Sequence, residues 1–431
     1  MNFSPYTAFN PAEMDLSTLT DDNVLFFIRI RGKQSYFHNV YTTKFLSQFQ
    51  AVKEFRCISE YAKDADVHID LNKVSRDWLL EDEYAEFARL IDINEVILRC
   101  RGLRSSTYAL ATRLVFRTFL FFRDLFRSRP QLRLIVTGAV DNYVMDIMHR
   151  VGLAHGVAFL GVTDSFMSPE FKLVTVRGEA TKFSTVPPAQ VEAVYSALKV
   201  RALSPSVPKR ARALRSAVYD LGSYVYRCVW RYLILHKMLG KLGYEYVFAP
   251  ELRKFSSLDQ LYAVTFLRNF DQVFTSTEKK YAYIPLHYYP EATTDYWIDD
   301  LYHVDYLRSV KNTVRQLRAQ GYHVVAKEHP AFYLARFSHF YKELIAEGCE
   351  ILTPFVGTVR VLAAVDLVVV WNGSTGIEAI IHGKPLVKVT NSYYGDNVIP
   401  NFDGALKPLH PTDNEGRDVV QKVLETSFRT V

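Results

Sequence analysis

The chain has 431 residues, long for one domain and sufficient for two, with 49% apolar and 14% aromatic residues to fill their cores. Its four cysteines, Cys57, Cys100, Cys228 and Cys349, are scattered without CxxC or metal-ligand spacing, which argues against a disulfide scaffold or structural zinc and fits a reducing compartment. The net charge of +6 excludes neither an anionic substrate nor an anionic surface as partner.

At the N-terminus, MNFSPYTAFNPAEMD has neither a basic n-region nor an apolar core, so no signal peptide is expected. No run approaches the ~18 apolar residues of a spanning helix. The expectation is a cytoplasmic protein, peripheral at the inner face of the cytoplasmic membrane if its basic segments meet lipid. Val24–Ile30, Glu54–Ile58 and Val67–Ile69 read as the first three strands.

A basic segment follows. From Arg99 to Arg133 there are nine Lys/Arg against Asp124 alone, and from Lys199 to Lys241 ten against Asp220 alone, leaving 33 basic and 44 acidic residues elsewhere. Such asymmetry points to an anionic partner. A helix over about residues 106–127 would put Arg113, Arg117, Arg123 and Arg127 on one face, with Phe116, Phe119, Phe122 and Phe126 as apolar bulk elsewhere. That pattern fits an interfacial helix on an anionic membrane, and equally an amphipathic helix packed on a sheet. No RNA-recognition, KH, helix-turn-helix or zinc-finger signature accompanies the charge, so nucleic acid is not expected as a partner.

Next come a buried strand, Leu132–Val136, a helix, Tyr143–Gly152, a strand, Val157–Val162, and a further strand candidate, Lys172–Val176. Asp141 and Asp164 follow the two stronger strands. Either suits a base that deprotonates an acceptor hydroxyl, with Thr163 and Ser165 placed to orient Asp164; either also reads as a helix cap or turn former. The two prolines of Ser204–Pro208 mark a loop, and the pattern loosens near residue 255, where a domain boundary is placed (1–255 and 256–431).

The second half repeats the alternation. Strand Tyr281–Ile284 ends at Pro285 and opens an aromatic, hydroxyl-rich loop with His287, Glu291, Thr293 and Thr294. Helix Val304–Gln320 leads to strand Tyr322–Ala326, whose end carries Lys327, Glu328 and His329 before Pro330. Proline biases the residue before it to extended backbone, and a histidine held so can donate to a phosphoryl oxygen. Helix Ala335–Glu347, strand Glu350–Leu352 and helix Val359–Ala364 lead to DLVVVWNGSTGIEAIIHGKPLV. There an apolar strand, Leu367–Trp371, runs into a small-residue turn, Asn372, Gly373, Ser374, Thr375 and Gly376, and then a helix carrying Glu378. Free backbone donors at such a turn suit a phosphate; an ordinary Ser/Thr-capped corner has the same look. Strand Leu386–Val389 and a tail helix, Asn414–Phe428, close the chain.

PLHYYPEATT, KEHP and NGSTGIEAIIHGKP, in that order across about residues 280–400, resemble the motifs of bacterial capsule and surface-polysaccharide transferases, including capsular Kdo transferases. The resemblance implies an α/β protein of GT-B type, with two Rossmann-like domains facing across a cleft and a tail that crosses back. It implies that His329 with Ser374 or Thr375 holds the donor phosphate, that Pro330 shapes the loop, that Glu378 lies near the nucleoside and that the Pro285–Thr294 loop lines the donor pocket. The family often carries glutamine where this chain has His287, so the donor sugar stays open. The expected activity is transfer of a sugar from a nucleotide-activated donor, a CMP-linked one among the candidates, to a glycan or glycolipid. No cofactor is expected beyond the nucleotide-sugar co-substrate, and no metal, since no DxD-like motif is placed to hold one. Two alternatives stay open: a CDP-glycerol-type glycerophosphotransferase, and a catalytically silent membrane-associated scaffold of a capsule assembly complex.

Overall fold

The computed structural model describes residues 14–29, 32–104, 106–165, 167, 171–200, 215, 222, 259–288, 292–390, 392–394, 402 and 406–429. The expected boundary near residue 255, most of the second basic segment, and Glu291 lie outside the described residues. Among the described residues the chain forms two compact units, one running to Thr185 and resuming at Leu424, the other from Val186 to Val423.

The first unit is built on β1 (Val24–Ile28), β2 (Cys57–Ser59), β3 (Val67–His68), β4 (Leu134–Thr137), β5 (Ala158–Asp164) and β6 (Phe171–Val174). Strands β3-β2-β1-β4-β5 lie side by side and all parallel. This order reverses between β1 and β4, as in a doubly wound nucleotide-binding sheet. Every side chain of VLFFI in β1 is buried, as expected where both faces of a parallel sheet are covered. Strand β6 departs from the expected alternation. It pairs antiparallel with β5, Asp164 facing Lys172, because the few residues between them are too short for a parallel crossover.

Four helices accompany this sheet: α1 (Glu81–Leu90), α2 (Ile93–Arg99), α3 (Tyr108–Ser128) and α4 (Tyr143–Ala154). Helix α3 begins where the Thr107 side chain accepts the Leu110 N–H, and it buries Leu114, Val115, Phe119, Phe122 and Phe126. It packs against α4. Gly152 of α4 allows close approach, since a Cβ there would lie 2.6 Å from the Phe159 ring of β5. Helix α1 escaped the sequence reading because EDEYAEFARL has almost no apolar stripe: its buried side chains are Phe87 and Glu83.

The second unit begins with α5 (Pro188–Val200) and carries β7 (Tyr281–Pro285), α6 (Tyr306–Ala319), β8 (His323–Lys327), α7 (Ser338–Ala346), β9 (Cys349–Leu352), α8 (Thr358–Ala364), β10 (Leu367–Val370), α9 (Thr375–Ile381), β11 (Leu386–Lys388) and α10 (Asp413–Glu425). Its sheet runs β9-β8-β7-β10-β11, all parallel, so the order again reverses, here between β7 and β10. Val310, Val314 and Leu317 of α6, Leu344 of α7 and Val369 of β10 share its buried core. Helices α5 and α10 are clamped together: Tyr195 Oη donates to Asp413 (2.9 Å), and the Tyr195 ring lies over Gly416, where a Cβ would approach to 2.6 Å.

The tail differs from the helix expected over Asn414–Phe428. Helix α10 stops at Glu425, and β12 (Ser427–Arg429) joins the first sheet antiparallel to β6. Phe428 stacks on Phe45 in that unit's core (4.9 Å). No described helix is long and apolar enough to cross a membrane.

Candidate active site at the carboxyl edge of the second sheet

Parallel α/β sheets bind ligands beyond the carboxyl ends of their strands, at the point where strand order reverses. In the second unit that point lies between β7 and β10, with β8 beside β7. The three motifs singled out in the sequence leave from these three strands.

The β7 end continues the ladder past Pro285, with the Leu286 N–H bonded to the Lys327 carbonyl (2.9 Å). His287 follows, buried, its N–H donated to the Tyr306 hydroxyl (2.8 Å) at the start of α6. Its ring sets the spacing to the β10 turn: a Cβ on Gly373 would lie 3.1 Å from His287 Cε1. Asn372 Nδ2 donates to the Thr293 carbonyl (2.5 Å), and Thr293 and Thr294 are buried.

From β8, Lys327 points inward. Its ammonium donates to Thr358 Oγ1 at the start of α8 (3.2 Å). Burial lowers its pKa to about 8, with Glu378 opposing the shift. Glu378 itself is buried in α9. Burial raises the pKa of Tyr283 in β7, and the Glu378 charge adds to that. Glu328 is buried and accepts from Arg336, from the Tyr341 hydroxyl (2.5 Å) and from the His329 N–H (2.6 Å). Pro330–Phe332 forms a short 3-10 turn, and the Phe332 N–H bonds back to the His329 carbonyl (2.9 Å), which places His329 at the start of that turn. The His329 ring stands edge to face with Tyr288 (5.9 Å).

Both imidazoles are neutral at neutral pH. Burial lowers His329 to about 4, Arg336 and Lys327 adding to the shift and Glu328 opposing it. Burial lowers His287 to about 3, with His329 and Arg336 adding to it. A neutral imidazole offers one N–H donor, and an incoming phosphate dianion would favour a second proton.

From β10 comes the Asn372–Gly376 turn. Helix α9 starts at Thr375, two residues earlier than a start at Ile377, so Thr375 and Gly376 are helical, and Ser374 makes no side-chain cap. Tyr394 braces the turn. Its hydroxyl donates to the Gly373 carbonyl (2.5 Å), and any side chain on Gly376 would overlap that hydroxyl.

The site thus brings together His287, Thr293, Thr294, Lys327, His329, Pro330, Asn372, Gly373, Ser374, Thr375, Gly376 and Glu378 along one sheet edge. Sequence reasoning missed Arg336, Tyr306 and Tyr341. Arg336 lay unremarked between Ala335 and Phe337, and its only sequence signal is a charge inside an otherwise apolar stretch.

In the first unit the expected residues separate. Asp141 is buried beside the switch point of that sheet, paired with Arg29 after β1 and accepting from Asn142 Nδ2 (2.9 Å). Asp164 lies at the far end of β5, 88% exposed and paired with Lys172 across the hairpin (2.5 Å). Ser165 and Thr163 do not orient it: Ser165 Oγ accepts the Met167 N–H (3.2 Å) and Thr163 pairs with Leu173.

The four arginines of α3 find partners within their own unit. Arg113 pairs with Asp77 (2.5 Å), Arg117 donates to the Leu71 carbonyl (3.1 Å), Arg123 is buried against Glu83 (2.5 Å), and Arg127 pairs with Glu86 (2.8 Å). Of the two readings the sequence left open, these contacts fit the amphipathic helix packed within its own unit: Glu83 and Glu86 of α1 and Asp77 before it take three of the four guanidinium groups.

No protein-family model matches the sequence, and no curated protein matches it. Among solved structures, the chain is similar to the beta Kdo 2,7 transferase of Thermosulfurimonas dismutans KpsC at 16% identity over 74% of this chain and 87% of that one (TM-score 0.34). The beta Kdo 2,4 transferase of the same KpsC overlaps at 11% identity over 67% and 79% (TM-score 0.34). The UDP-GlcNAc 2-epimerase of Methanocaldococcus jannaschii overlaps at 11% identity over 93% and 98% (TM-score 0.24). The fold follows from the strand orders themselves: an α/β chain with two Rossmann-like sheets.

Proposed function

We propose that the protein is a glycosyltransferase of capsular or surface-polysaccharide synthesis, transferring a sugar from a nucleotide-activated donor to a glycan or glycolipid acceptor. The observation that carries this reading is the convergence of His287, His329 and the Asn372–Gly376 turn at the switch point of the second sheet. The PLHYYPEATT, KEHP and NGSTGIEAIIHGKP motifs support it from the sequence side.

In this reading the donor diphosphate or monophosphate rests against the turn, and His329 donates to the phosphoryl oxygen that departs. The bond from the anomeric carbon to that oxygen breaks, its electron pair leaving with the nucleotide. Fixed donors aimed at the developing charge stabilise the transition state. The acceptor oxygen bonds to the anomeric carbon, and its proton passes to a carboxylate. We assign that role to Asp141, which is held by Arg29 and Asn142. His329, His287 and Lys327 supply the donors, so departure is proposed to need no divalent cation. Attachment to an anionic membrane surface through the basic segments is a separate proposal, tested by sedimentation with anionic liposomes.

The test is a thermal-shift screen against CMP, CDP, UDP, GDP and dTDP. A rise with one nucleotide that is lost in folded His329→Ala supports the donor site and names the base. No shift with any nucleotide overturns it in favour of a silent scaffold.

A further inference from the structure

Behind the two histidines lies an ion pair that the reaction itself does not use. Glu328 is 1% exposed and Arg336 4%. A buried ion pair is seldom more stabilising than apolar residues of the same shape, so its placement needs another reason. Arg336 Nε and Nη2 grip the Glu328 carboxylate (2.5 and 2.9 Å), and Nη2 also donates to the His287 carbonyl (2.8 Å). The same carboxylate accepts the His329 N–H (2.6 Å). The guanidinium is held between the rings of Phe332 and Phe340, 4.5 and 4.3 Å from their centroids. One planar group therefore ties the backbone of His287, after β7, to the backbone of His329, after β8.

We propose that Arg336, acting through Glu328 and the His287 carbonyl, is a positioning residue that fixes the two imidazoles relative to the donor phosphate. The inference rests on the reading of this edge as the phosphate site. A lysine keeps the charge but cannot fork to a carboxylate and a carbonyl together, so Arg336→Lys separates geometry from charge.

The experiment measures the dissociation constant of the nucleotide that gives the largest thermal shift in the panel above. Histidine Cε1–H spectra are recorded with and without that nucleotide for wild type, Arg336→Lys and Tyr341→Phe. Tyr341→Phe removes one donor to Glu328 and leaves the ion pair in place. Expected for Arg336→Lys is an affinity loss of about tenfold or more. The His287 and His329 resonances should broaden or split, while that of His149, buried in the first unit, stays unchanged. Tyr341→Phe should move the same two resonances less and weaken binding by about threefold. Wild-type affinity with unchanged His287 and His329 resonances in folded Arg336→Lys overturns the positioning role alone. If Arg336→Lys does not fold, Tyr341→Phe decides by the same two readouts. A wild-type protein whose His329 resonance ignores every nucleotide overturns the phosphate reading and this inference with it.

Discussion

The five parallel strands of each sheet share one order, and the sheets differ in what borders the place where it reverses. In the first, Tyr41 bridges the two strands: its hydroxyl bonds to the Phe27 carbonyl of β1 (2.5 Å) and reaches the Val136 carbonyl of β4 (3.2 Å). Burial pushes the neighbouring Tyr36 up to about 12. In the second, the same place is bordered by His287, His329 and a turn of small residues. One order of five parallel strands carries an aromatic hydroxyl at one switch point and imidazoles with a small-residue turn at the other. The fold therefore does not locate the chemistry; the residues at the strand ends do.

That contrast can be broken most sharply through Asp141. If the first unit supplies the base, Asp141→Asn should lower turnover about 100- to 10,000-fold, with the nucleotide thermal shift unchanged. Turnover would be followed with the nucleotide-sugar whose base gives that shift. Normal turnover would leave the first sheet without a chemical role. Next in size is His329→Ala, expected to cost about 100- to 1,000-fold in turnover and to abolish the thermal shift while circular dichroism stays native. Full activity in that variant would remove the second sheet from the reaction.

Gly376→Ala sharpens the contrast through packing. The added methyl displaces the Tyr394 hydroxyl from the Gly373 carbonyl, so chemical denaturation should show a loss of about 1–3 kcal/mol together with weaker nucleotide binding. A loss of stability without weaker binding would show that the turn need not be held as it is.

The smallest effect expected is on pH dependence. His287 and His329 have folded pKa values of about 3 and about 4, below their ordinary 6.5. The unfolded chain therefore binds protons first as pH falls. Their contribution to stability is complete above about pH 6.5 and is lost as pH falls toward 4. His287→Asn should flatten the denaturation midpoint across that window; an unchanged slope would mean that His287 is not buried as described. Lys327, at about 8, predicts nucleotide binding that weakens as pH rises through 8, read by calorimetry.

Much of this was legible in the chain. Continuous apolar runs such as VLFFI, LIVT and LVVV announce strands buried on both faces. The prolines and small residues after them mark strand ends, where parallel sheets place ligands. Helix α1 was not legible because its one buried acid, Glu83, turns inward to meet Arg76 and Arg123, a pairing that periodicity does not encode. For the same reason the sequence left the arginines of α3 open between lipid and protein partners.

The sequence by itself determined the alternation of strands and helices in both halves and the three motifs of the second, since each depends on residues a few positions apart. Only the tertiary structure decided which strand ends meet: His287 against Gly373, Arg336 bridging two loops, Tyr394 beneath the turn, and the tail joining the first sheet as a strand. Those contacts link residues far apart in the chain, and their formation depends on burial and on the satisfaction of buried polar groups, which no local pattern records.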